Sequence, residues 1–143
     1  RIWSRIGLAF AIIYAVIATF NYTVQLIVVR GNLFSNESPG LGLFAMANPH
    51  SLFWGLAMIG YNFYMALAAL LIVPTLGQST LERWIGWLFA ANALASLVAG
   101  VYFFVTLDTY HFVGLVASGV WILAFPAATT LLAIRFRRMS KQD

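Results

Sequence analysis

The stretch HSLFWGLAMIGYNFYMALAALLIV, His50 to Val73, contains no Asp, Glu, Lys or Arg. As a helix, about 24 residues at 1.5 Å each reach roughly 36 Å, enough to cross a hydrocarbon core near 30 Å with some tilt. Three further stretches read the same way: Ile6 to Val29, Arg83 to Thr106 and Phe112 to Ile134. Each exceeds the ~10 residues of a barrel strand and lacks sustained alternation, so helices are expected rather than strands. The first is also too long for a signal-peptide core and is not followed by a small-residue cleavage site.

The composition agrees. Of 143 residues, 62% are apolar and 8% are charged, far from soluble usage of about half and a quarter. A mean hydropathy of +0.88 excludes a disordered chain, a collagen-like repeat and a nucleic-acid-binding arm. Four crossings of ~20 residues leave too little chain for a second folded domain. The expected architecture is all-α: one integral membrane domain over residues 1–143, a four-transmembrane-helix bundle with helices at 6–29, 50–73, 83–106 and 112–134 and an outer loop at 31–48. The sequence opens on Arg1, so an initiator Met is expected upstream. The chain has no Cys, which removes thiolate catalysis, disulfide exchange and Cys-ligated metal or iron–sulfur centres.

Punctuation at the helix ends follows these limits. Arg30-Gly31-Asn32 is expected to end helix 1, with Gly31 taking the left-handed conformation. Asn48 is read as the cap of helix 2, with Pro49 in the first turn and a stop before Pro74. Ser79-Thr80-Leu81-Glu82 is a capping box for helix 3. Asp108 or Thr109 is the expected cap of helix 4. Between helices 1 and 2, 32–40 reads as turn and loop, and the apolar 41–47 lies in the outer interface, folds over the bundle end or simply connects. Asn36-Glu37-Ser38 matches a glycosylation acceptor, followed by Pro39.

Basic residues beside short loops resist translocation. Arg1, Arg5, Arg83, Arg135, Arg137, Arg138 and Lys141 fall on one side of the four-span arrangement and Arg30 alone on the other. Both termini are therefore expected in the cytoplasm, and the net charge of +4 is accounted for by topology and anionic-lipid contact, with no nucleic acid. Trp3, Trp84 and Trp87 are expected at the inner interface, and Trp54 and Tyr110 near the outer one.

No ionisable group lies mid-span, which argues against a proton-coupled exporter, voltage sensor or ion pump. The spans carry amides, hydroxyls and aromatic donors instead. Asn21 and Gln25 share a face of helix 1 with Tyr14 and Ala18. Helix 2 carries Tyr61, Asn62 and Tyr64, helix 3 carries Asn92 and Ser96, and helix 4 carries Ser118 and Trp121. Asn21, Asn62, Asn92 and Trp121 all fall within about one turn, ~5 Å, of the midplane. An amide facing lipid loses water without replacement, so these groups are expected to point inward, as interhelical bonds or as the lining of a site for a small amphipathic ligand. Rows of small residues, Ala91-Ala95-Ala99, Asn92-Ser96-Gly100 and Gly114-Ser118, predict close helix approach within one chain or a dimer face. Pro126 predicts a kink and a freed carbonyl at Ile122. His50 and His111, both at the outer face, either cap and bond to loop carbonyls or ligate a metal or tetrapyrrole.

The run Asn48 to Tyr61, Asn-Pro-His-Ser-Leu-Phe-Trp-Gly-Leu-Ala-Met-Ile-Gly-Tyr, with Asn21-Tyr22, Gln25 to Arg30 and the basic end of helix 4, resembles an uncharacterised family of small four-helix prokaryotic integral membrane proteins. The resemblance implies a prokaryotic cytoplasmic membrane and a four-span topology, and no established activity. In that family a carboxylate often precedes the Gly-Tyr pair, where this chain has Ala57-Met58-Ile59.

Three functional expectations remain open. The first is a non-enzymatic integral membrane protein, either an accessory subunit of a larger membrane complex or a binder of a hydrophobic or amphipathic small molecule, held by Asn21, Gln25, Tyr61, Asn62, Tyr64, Asn92, Ser96 and Trp121. The second is a small transporter or channel using the central amides. The third is a membrane enzyme or metal or tetrapyrrole site built on His50 and His111. Membrane lipids are partners in all three, and the sequence names no cofactor.

Overall fold

The computed structural model describes residues 2–36, 38–108 and 111–140. Four helices are long and apolar enough to cross a membrane: α1 Ile2–Phe34, α2 Leu52–Thr75, α3 Thr80–Thr106 and α4 Phe112–Met139. No strand occurs among the described residues. Successive helices run antiparallel, since Asn21 meets Phe53, a Cβ on Gly100 would meet Asn62 and Arg135 pairs with Glu82. The start of α1 and the end of α4 therefore sit at one end of the bundle, and the described residues that join α1 to α2 and α3 to α4 sit at the other.

Each helix packs on its chain neighbour, with α2 between α1 and α3 and with α4 along α3; no extended contact joins α1 to α4 among the described residues. The core of the terminal half is built from Ala66, Ala69, Ile85, Phe89, Ala93 and Ala128. Alanine dominates it for a physical reason. In lipid, apolar side chains gain little by hiding from one another, so helices associate where small residues let backbones approach. The larger side chains, such as Leu8, Val16, Leu94 and Leu123, point outward, toward what would be lipid. Trp3, Trp84 and Trp87 are 51%, 61% and 70% exposed at the terminal end.

The row Asn92-Ser96-Gly100 is buried and carries the closest crossing: a Cβ on Gly100 would stand 2.7 Å from the Cβ of Asn62 and 3.0 Å from the Phe63 ring. The Ala91 row does not pack along its length, since Ala91 is exposed and Ala99 buried. Gly114 and Ser118 both border a cavity.

The capping box at Ser79 forms as expected. Ser79 Oγ accepts from the Glu82 amide at 3.3 Å, and Glu82 Oε2 accepts from the Ser79 amide at 3.3 Å. Other boundaries differ. Helix α1 does not stop at Arg30-Gly31-Asn32: it stays helical to Phe34, Asn32 Nδ2 donates back to the Val28 carbonyl at 2.7 Å, and Asn36 takes the left-handed position, φ 57°. Asn48 does not cap α2, because its side chain is engaged in the loop. Its Oδ1 accepts from the His50 amide at 3.0 Å and its Nδ2 donates to the Gly42 carbonyl at 2.7 Å. Ser51 caps instead, accepting from the Trp54 amide at 3.0 Å. Past Ile72, α2 tightens into a 3-10 turn, Val73–Thr75, that accommodates Pro74. Asp108 does not cap α4, and Thr109 lies outside the described residues; His111 Nδ1 accepts from the Val113 amide at 3.4 Å. Helix α4 continues through Pro126 to Met139.

Two π-helical stretches interrupt the regular turns, Val24–Val29 in α1 and Gly60–Met65 in α2. Such wide turns are uncommon and frequent at functional sites. The second holds Tyr61, Asn62 and Tyr64.

Candidate functional site

Between α2, α3 and α4, in the half of the bundle nearer the connections, lies a cavity of about 480 Å³. Its α2 wall is Trp54, Met58, Tyr61 and Asn62; Ser96, Tyr102 and Phe103 come from α3; Gly114, Ser118 and Trp121 come from α4. Tyr22 of α1 and Met46 of the long connection also border it, as does Asp108. The residues without bulk on α3 and α4 make the space. Ala99, Gly114, Ala117 and Ser118 face it, so α4 follows α3 while leaving room against α2.

Local structure explains how the aromatic groups are held. The Tyr22 and Tyr61 hydroxyls lie 3.0 Å apart. Tyr61 packs edge-on against Trp121, with centroids 5.6 Å apart at 79°, and against Tyr14, 5.3 Å apart at 61°. Tyr14, Tyr61 and Trp121 thus form a belt of rings from α1 through α2 to α4, and Tyr14 also borders a second, apolar cavity of about 460 Å³ in the terminal half, with Gly7, Ala11 and Phe125 among others.

Two donors in the walls lack partners. The indole nitrogens of Trp54 and Trp121 are buried with no hydrogen-bond partner among the described residues, and an indole N–H can only donate. Trp54, expected near the outer interface, borders the cavity.

The predicted polar residues divide into two groups. Tyr61, Asn62, Ser96 and Trp121 meet at the cavity. Asn21, Gln25, Tyr64 and Asn92 do not border it. Asn21, 2% exposed, donates from Nδ2 to the Phe53 carbonyl at 3.0 Å, which ties α1 to the first turn of α2. Asn92 is buried on α3 one turn from Ser96. The Tyr64 ring packs on Phe10 at 6.0 Å. Gln25 lies in the π-helical stretch that begins at Val24 and bonds to the long connection. Its Nε2 donates to the Phe44 carbonyl at 2.8 Å, and its Oε1 accepts from the Met46 amide at 3.0 Å. This pair of bonds lays the apolar 41–47 segment over the bundle end, where Phe44 packs on Phe53 at 5.9 Å and Met46 borders the cavity.

Sequence reasoning passed over Tyr22, Met46, Tyr102 and Asp108. Tyr22 had a signal, since it stands at helical spacing from Ala18; Met46 and Asp108 are brought in by connections whose course no periodicity encodes.

The histidines take other roles. The imidazole of His111 caps α4 and stacks on Tyr102 with centroids 4.4 Å apart. His50 is exposed in the turn before α2. Among the described residues, no three His, Asp or Glu side chains gather to hold a metal ion.

No family model, curated protein or solved structure matches the chain.

Proposed function

We propose that this chain is a non-enzymatic integral membrane protein that holds an amphipathic small molecule in the cavity between α2, α3 and α4. One observation carries the reading. Four of the eight polar residues predicted to face inward meet around a space of about 480 Å³, within the 300–1,000 Å³ typical of ligand sites. A packed seam of interhelical bonds would have closed that space. The unpartnered Trp54 and Trp121 nitrogens in its walls favour an acceptor brought by a bound molecule or by ordered water. The belt of Tyr14, Tyr61 and Trp121 across the bundle favours holding over free conduction. The bias of Lys and Arg supports cytoplasmic termini, and with the resemblance noted above it supports a prokaryotic cytoplasmic membrane.

Native mass spectrometry of the protein extracted in a mild detergent tests this. The expected result is a small molecule released with the chain from the wild type and absent from Ser118→Trp, which fills the cavity from an exposed position. A chain that leaves the membrane bare, or that keeps its passenger when the cavity is filled, overturns the reading.

A further inference from the structure

The charge and ring content of the cavity define its ligand further, an inference that rests on the reading above. Six aromatic side chains border it: Tyr22, Trp54, Tyr61, Tyr102, Phe103 and Trp121. The only charged residue that borders it, among the described residues, is the acidic Asp108, and no described Lys or Arg does. Aromatic faces carry negative quadrupole charge and attract cations, most strongly where water is excluded. The Tyr61 and Trp121 rings stand nearly perpendicular, at 79°, and form a corner of the kind an alkylated cation fits.

A small hydrated metal ion is a poor occupant, because stripping its water would need a cage of oxygens that the cavity does not offer. An anionic head would meet aromatic rings and the acidic Asp108, with no described Lys or Arg beside it to offset its desolvation. A cation whose charge is spread under apolar groups loses little hydration and gains from both features. We infer that the cavity takes a lipophilic organic cation of the quaternary ammonium or phosphonium type, held by the ring faces with Asp108 on the loop side.

The test uses the full chain in nanodiscs of digalactosyl diacylglycerol, an uncharged lipid, with empty nanodiscs as the partition control. Trp3, Trp84 and Trp87, all more than half exposed, are changed to Phe so that emission reports Trp54 and Trp121. The probes are tetraphenylphosphonium, its shape-matched anion tetraphenylborate, and neutral triphenylphosphine oxide. The cation is expected to alter the emission with an affinity about tenfold above that of the anion. Asp108→Asn should weaken the cation severalfold and leave the neutral probe unchanged. If the neutral or anionic probe binds as tightly as the cation, or Asp108→Asn has no effect on the cation, the cation assignment is wrong while the cavity remains a binding site. If none of the three binds and native mass spectrometry also finds a bare chain, the proposed function itself falls.

Discussion

The side-chain amide of Gln25 grips the backbone at Met46. Gln25 Oε1 accepts from the Met46 amide at 3.0 Å while Gln25 Nε2 donates to the Phe44 carbonyl at 2.8 Å. One side chain of α1 thereby satisfies two backbone groups of a connection whose described residues hold only a short 3-10 turn, Leu41–Leu43. Because Met46 borders the cavity, the clamp also sets how that end of the cavity is covered.

Gln25→Ala removes both bonds and should loosen the 41–47 segment locally. At about 1 kcal/mol for each neutral bond, the opening free energy should fall by about 1–2 kcal/mol. Hydrogen exchange checks this: protection at Met46 should drop by about 5- to 30-fold, while amides in the middle of α3 stay protected. Unchanged exchange at Met46 would mean that packing of Phe44 on Phe53, not the clamp, holds the segment.

Gly100→Ala should destabilise the protein by about 1–3 kcal/mol, the usual penalty for overpacking. The added Cβ would lie 2.7 Å from the Cβ of Asn62 and 3.0 Å from the Phe63 ring, so α2 and α3 would have to separate. Gly119→Ala is the control, since nothing stands within 4 Å of a Cβ there and Ala is the better helix former. Thermal unfolding in detergent should fall for the first and stay level or rise for the second.

The Tyr22–Tyr61 hydroxyl contact at 3.0 Å links α1 to α2 beside the cavity. Tyr22→Phe and Tyr61→Phe should each cost stability, and the double variant should cost less than their sum, with a coupling of about 0.5–1.5 kcal/mol. Strict additivity across the cycle would show that the two hydroxyls are satisfied independently.

Glu82 serves two partners: its Oε2 accepts from Ser79, and its Oε1 accepts from Arg135 Nε at 2.7 Å. Glu82→Ala removes the capping box and the ion pair together, whereas Arg135→Ala removes only the pair. The thermal midpoint should therefore fall further for Glu82→Ala. Added salt should narrow the gap between wild type and Arg135→Ala by screening the pair. Equal midpoints for the two variants would show that the cap contributes nothing at this helix start.

The spans, their number and the Ser79 capping box were legible in the residues because hydrophobic length and capping chemistry are local. Half of the candidate site was legible as well. Tyr61, Asn62, Ser96 and Trp121 are polar groups at a depth where facing lipid is costly, and they do meet. Asn48 shows where local reading fails: its side chain bonds within its own loop, to the Gly42 carbonyl and the His50 amide, and leaves the cap to Ser51. The partners of Gln25, Phe44 and Met46, come from a connection whose course the helix pattern does not encode.

Composition and hydropathy alone determined that this chain is helical and suited to lipid, because transfer of a ~20-residue apolar helix depends on its own side chains and on nothing distant. That the polar residues border an open space, rather than close against one another, was decided only in three dimensions. The width of that space depends on where Gly100 lets α3 approach α2 and on where the small Gly114 and Ser118 leave room along α4, which is a relation between helices that no single helix contains.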